Sequence, residues 1–161
     1  MIPEKEDDLP ERAYQLALDY ELKYGCCPQC VLAAVQETVG GVADDVIKAA
    51  HGLSGGGGLA GLGTCGALSG GLMALSTQRG RDRDKFERGK FISNFKLGEE
   101  LVKQFTTEFG GVTCRDLQQS FTGKTYDMWD QAQYAEFSQA RGDQCARASA
   151  MVSKWVVNKL K

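Results

Sequence analysis

The residues of this chain best suited to chemistry are its six cysteines, set against a single histidine, His51. Four of them share a local setting. Cys27 precedes Pro28, and proline favours the first helical position, so Cys27 is expected as an N-cap. Cys65 follows Thr64, a good N-cap after Gly63. Cys114 follows Thr113, and Thr113-Cys114-Arg115-Asp116 reads as a capping box with Asp in place of Glu. Cys145 comes two residues after Asp143, another good cap. A helix start presents unpaired N–H groups and partial positive charge. Both favour a thiolate, and thiols in such places fall from about 8.5 toward roughly 3.5–7.5. The thiolate is both nucleophile and metal ligand, and the same N–H groups can donate to cluster sulfurs. The plainer alternative is that each cysteine is a small buried hydrophobe.

The elements that position these cysteines read as helices almost throughout. Pro10 opens a helix carrying Ala13, Leu16, Ala17, Tyr20 and Leu22 before Gly25; a second runs from Pro28 to Val39 and stops at Gly40-Gly41. A short third spans roughly Ala43 to Ala50, with His51 as a C-terminal residue interacting with the helix dipole. A small-residue helix covers about Cys65 to Thr77. A long one ends near Phe109, with Phe91, Phe95, Gly98, Val102, Phe105 and Phe109 as one buried stripe. Further helices start near Cys114, cover Asp127 to Ala140, and run from about Gln144 to Leu160. No period-two strand pattern appears. The expected fold is all-α: seven or eight helices with a Gly-rich loop, in one domain over residues 9–161 behind a loose acidic tail, 1–8.

Composition excludes several functions. The chain has 161 residues, with 19 Lys plus Arg against 21 Asp plus Glu. That balance argues against a nonspecific nucleic-acid binder. The start carries no apolar secretory segment, so a cytoplasmic, thiol-reducing setting is the default. Residues 52–78 carry no charge, but ten of them are glycine, which argues against a membrane span. The tract matches GxGxxG twice without a preceding strand, so no dinucleotide site is read there. It reads instead as a loop whose backbone can approach a cofactor, with Gly63 and Gly66 the expected cofactor-side glycines. The segment Arg79 to Lys85 reads as a solvated connector. Tyr126, Trp129, Tyr134 and Phe137 are expected to pack in the core or cover the cysteines, and an exposed aromatic patch would suit a homodimer.

The run Cys65-Gly66-Ala67-Leu68-Ser69-Gly70, followed by Gly71-Leu72-Met73-Ala74-Leu75, resembles the central segment of the redox-active protein family known by the pattern C_GCAxxG_C_C. That family is named for one cysteine before this segment and two after it. Cys27-Pro28-Gln29-Cys30-Val31-Leu32 is similar to its first-cysteine context and places the family cysteine on Cys27; Cys114 and Cys145 match the third and fourth. Cys26 and Cys30 are additions to the pattern. The resemblance implies a helical redox protein. Through the family's similarity to part of the split-Soret cytochromes, it also implies a nonhaem iron–sulfur site.

Three chemistries follow. The first is an iron–sulfur cluster held by Cys27, Cys65, Cys114 and Cys145, serving electron transfer with an unidentified redox partner. Their wide spacing along the chain suits a site assembled by tertiary structure. The second is thiol–disulfide exchange by low-pKa thiols, with Cys27 paired reversibly either with Cys30, a resolving thiol in Cys27-Pro28-Gln29-Cys30, or with Cys65; the βαβ context usual for that motif is absent. The third is a noncatalytic module stabilised by zinc or buried thiols, although a second close cysteine pair typical of zinc is lacking. Val31 follows Cys30, so no CxxCH is present and no c-type haem is expected.

Overall fold

Eight α-helices form in the computed structural model, which describes residues 8–161, and no strand occurs among them. The acidic start up to Asp7 lies outside the described residues. Asp8 belongs to the helical domain: its side chain accepts from the Glu11 N–H and caps α1 (Leu9–Tyr24), with Pro10 in the first turn as expected. α2 (Cys27–Thr38) follows after Gly25-Cys26. α3 (Asp44–Ala49) passes into a 3-10 turn, Ala50–Leu53, in which His51 is exposed.

The core is built around α4 (Gly66–Arg79), which packs on α2, on α5 (Ile92–Phe109) and on α8 (Gln144–Leu160). α1 lies along α8, the most extensive helix pair. Val31, Leu32, Leu68, Leu75, Leu101, Phe105 and Val156 fill the centre. Such close crossings need small residues on α4. Gly70 lies against the Pro28 backbone, and Gly71 lies against Val152 and Leu101. No helix is long and apolar enough to cross a membrane among the described residues.

Two sequence expectations are corrected. In α5 Leu101 and Phe105 are buried and Asn94, Gly98 and Val102 half-buried, so the expected line holds at Gly98, Val102 and Phe105 and fails at Phe95. Phe95 is 65% exposed. Asn94 donates to Ser76 and Gly98 sits on Leu72, so the contact with α4 sets the helix rotation, which the aromatic residues do not. The second correction concerns α7 (Gln131–Arg141), which starts four residues later than expected. Asp127 accepts from the Trp129 N–H and Asp130 from the Gln133 N–H, making a turn and then a cap. Trp129 therefore lies outside the helix and is exposed, whereas Phe137 is buried.

The Gly-rich loop is tightly folded. Gly55 to Gly58 all have positive φ, so the backbone turns where other residues would be strained. Gly56 and Gly63 meet backbone to backbone: Gly63 N–H donates to Gly56 O, and a Cβ on Gly63 would stand 2.5 Å from that oxygen. Trp129 Nε1 donates to Gly58 O and ties the loop to the segment before α7.

Candidate functional site: a cavity lined by five cysteines

The starts of four helices meet at one small cavity of about 70 Å³, lined by Cys26, Cys27, Cys65, Cys114 and Cys145. Local folding explains each position. Cys26 is the N-cap of α2 in a left-handed conformation (φ 65°), which places Cys27 as the first helical residue beside Pro28. Cys27 was expected one position earlier, as the cap. Cys65, not Thr64, caps α4. Thr64 pairs with Thr113 in an isolated bridge, Cys65 N–H donates to Val112 O, and Cys114 N–H donates to Gly63 O. Those bonds bring Cys65 and Cys114 to one wall.

At Thr113 the predicted capping box forms, with Asp116 accepting from the Thr113 and Val112 N–H groups, and it opens α6 (Cys114–Thr122). Asp143 is the N-cap of α8 by position, but its carboxylate pairs with Arg147 instead of the helix N–H groups. Cys145 follows in the first turn.

Each of the four widely spaced sulfurs has a polar group nearby that favours its thiolate. The backbone at Gly55 acts on Cys27 in this sense and that at Ala67 and Leu68 on Cys65, although the Cys65 side chain closes no cap hydrogen bond. Gln118 Nε2 lies 3.5 Å from Cys114 Sγ, and the Arg141 guanidinium reaches Cys145. The two additional cysteines have the opposite polarity. Cys30 Sγ donates to Gly25 O at 3.0 Å and Cys26 Sγ to His51 O at 3.9 Å. Cys30 lies outside the cavity, in a separate groove with Tyr20, Tyr24 and Glu37. Of the cofactor-side glycines, Gly66 lines the cavity and Gly63 packs against the loop.

Burial reverses the expected acidity of these thiols. Removal from water pushes Cys145 and Cys30 up to about 12 and holds Cys27, Cys65 and Cys114 above the ordinary thiol value. The donors oppose this shift but are outweighed, because a lone charge in a nearly closed cavity loses more hydration than one or two N–H groups restore. The low-pKa thiols expected from helix starts are therefore not present in this cavity. Among the described residues, no three His, Cys, Asp or Glu side chains are grouped tightly enough to hold a metal ion as they stand.

Three polar residues at the site carry weak sequence signals. Glu21 follows Ala13 and Ala17 at steps of four, which puts a carboxylate on the buried stripe of α1. Gln118 is fully buried one turn after Cys114, and its Oε1 accepts from the Tyr126 N–H. Arg141 lies four residues before Cys145, but across the break between α7 and α8.

Glu21 accepts a hydrogen bond from Ser149, and burial raises its carboxyl from 4.5 to about 7 against the pull of Ser149 and Arg141. The folded chain thus keeps a proton there that the unfolded chain releases near 4.5. Stability is highest below that value, falls as pH rises toward about 7, and is level above it. Glu21→Gln is expected to flatten this profile and to stabilise the protein by roughly 1–3 kcal/mol at alkaline pH. Urea midpoints across the range check this, and identical pH slopes in both proteins refute it.

An all-α domain whose helix starts converge on a thiol-lined cavity is the class that fold and site define. The chain belongs to the family described as "Putative redox-active protein (C_GCAxxG_C_C)", whose model matches residues 25–159. No curated protein and no solved structure matches it.

Proposed function

We propose that this redox-active protein is an electron carrier holding an iron–sulfur cluster through Cys27, Cys65, Cys114 and Cys145. The observation that carries the reading is that Cys27, Cys65, Cys114 and Cys145, far apart in the chain, line one cavity, whereas Cys30 lies in a separate groove and Cys26 donates to His51 O. Donors at sulfur suit a negatively charged thiolate or cluster and raise its reduction potential. Zinc needs all its sulfurs about 2.3 Å from one point. A cluster sets its thiolates around a body of several atoms, which fits thiols spread around a cavity better.

The raised thiol values fit the same reading. Thiols that keep their protons alone give them up when a cationic core takes their place, so loading releases protons. When bound, the cluster supplies one-electron chemistry. The chain supplies the rest: Leu59, Met128 and Phe137 shield the cavity from water, and Arg141 provides a cation beside Cys145.

Anaerobic purification with iron, sulfide and zinc analysis tests this. Iron and sulfide in equal amounts are expected, with a visible charge-transfer absorption that bleaches on reduction. Stoichiometric zinc, or no metal after anaerobic reconstitution with iron and sulfide, overturns it.

A further inference from the structure

We infer that residues 54–60 form a lid over the thiol cavity, latched from outside by Trp129, and that its opening is the route by which small thiol-reactive species reach the sulfurs. The cavity holds about 70 Å³, room for a few waters only. Anything larger enters when part of the wall moves. Most of that wall is helix. Apart from the Gly25-Cys26 link into α2 and Cys65 at the start of α4, the lining residues outside helices are Ser54, Gly55 and Leu59 of the Gly-rich loop, and Met128.

The loop is self-contained and stands on a fixed base. Gly57 N–H donates to Leu53 O, Gly58 N–H to Gly52 O and Leu59 N–H to Ser54 O, all within the segment. Its far end is held by α6, since Arg115 N–H donates to Gly61 O and Cys114 N–H to Gly63 O. Residues 55–59 form an unbroken run of positive φ, and Leu59 belongs to it at 59° although it carries a side chain. That conformation is costly for any residue but glycine. Strain of this kind gathers at clamps and switch segments, and here it falls on a residue that covers the thiols.

The latch is a single bond. Apart from the Gly55 backbone at Cys27, one hydrogen bond joins residues 54–60 to anything beyond residues 50–63 among the described residues: Trp129 Nε1 donates to Gly58 O at 3.1 Å. Trp129 is 72% exposed, so water can replace that bond at little cost. The neighbouring Met128 is buried, and a Cβ on Gly55 would strike its methyl group. Two consecutive residues therefore clasp the loop, Met128 on the cavity side and Trp129 on the solvent side. Opening gives up these contacts and none of the packing between helices, which places it among the low-cost local openings of a fold. The lid serves the thiols whether or not they hold a cluster.

Alkylation of the reduced, metal-free full chain with N-ethylmaleimide, followed cysteine by cysteine by mass spectrometry, tests the lid. A covered thiol reacts in proportion to the open population when closing outpaces alkylation. Trp129→Phe keeps a ring and removes the N–H, and should speed alkylation of the buried Cys65 roughly two- to tenfold, the loss of one hydrogen bond. Gly57→Ala adds a Cβ that meets nothing within 4 Å but is strained at φ 83°. Opening releases that strain, so the Cys65 rate should rise by roughly fivefold or more. Gly110→Ala carries like strain at φ 78°, also with nothing within 4 Å, but outside the lid, and should leave the rate unchanged. Cys30, in its separate groove, should keep its rate in all three variants. An unchanged Cys65 rate in Trp129→Phe or in Gly57→Ala, an equal rise in Gly110→Ala, or a matching rise at Cys30 overturns the inference. No metal takes part, so a chain that fails to hold iron can still pass this test, and the lid and the cluster fail separately.

Discussion

Cys65→Ser is expected to abolish retention of iron and sulfide, whereas Cys30→Ser leaves both in place. Cys65 is the N-cap residue of α4, sits on the wall shared with Cys114 and lines the cavity. Serine is close in size and a favoured N-cap residue, so the helix start survives while the soft ligand is lost. Cys30 lies outside the cavity and donates to Gly25 O, so serine there preserves the hydrogen bond and touches no proposed ligand. Gln118→Leu is expected to fall between the two. It removes the donor at Cys114 without removing a thiol, and loss of such an outer partner costs roughly 10–100-fold in metal affinity. Bound iron per chain after anaerobic gel filtration ranks the three. Equal loss in Cys65→Ser and Cys30→Ser, with both still helical by circular dichroism, would mean that the cavity does not define the site.

Gly70→Ala is expected to destabilise the fold by about 3 kcal/mol, against the helix-propensity gain of about 1 kcal/mol that the same change gives on an open helix. An added Cβ would stand 2.8 Å from Pro28 O and 2.9 Å from Pro28 Cα, and neither backbone atom can step aside as a side chain can. Gly66→Ala places a Cβ 2.4 Å from Cys27 Sγ and 2.7 Å from Pro28 Cδ. It should therefore displace the first thiol as well as loosen the α2–α4 crossing. Gly98→Ala is the control, because its Cβ meets only the end of Leu72, at 3.2 Å. Thermal unfolding decides the matter: Gly70→Ala should lower Tm by roughly 6–12 °C for a chain of this size, and Gly98→Ala by far less. Equal small shifts would show that α2 and α4 can separate without cost.

Much of the fold was legible because helices are written locally. Pro10, the capping box at Thr113 and Asp116, and the glycine stops at Gly25 and Gly40 mark boundaries through short-range bonds. The misreadings fall where a distant partner decides. The rotation of α5 follows from its seat on α4, which an aromatic spacing on α5 alone cannot report. Trp129 reads as helical by spacing, but its N–H groups bond to Asp127 and to Gly58 O, far away in the chain.

The cysteine site divides in the same way. That four cysteines stand at helix starts is written locally in the chain, because caps depend on neighbours within four residues. Their convergence with Cys26 on one cavity, and the turning of Cys30 away from it, come from packing between distant helices. Tertiary packing also decided the acidity of the thiols. N–H groups at a helix start are local and favour the thiolate, but loss of hydration depends on everything packed around the sulfur, and here it is the larger effect.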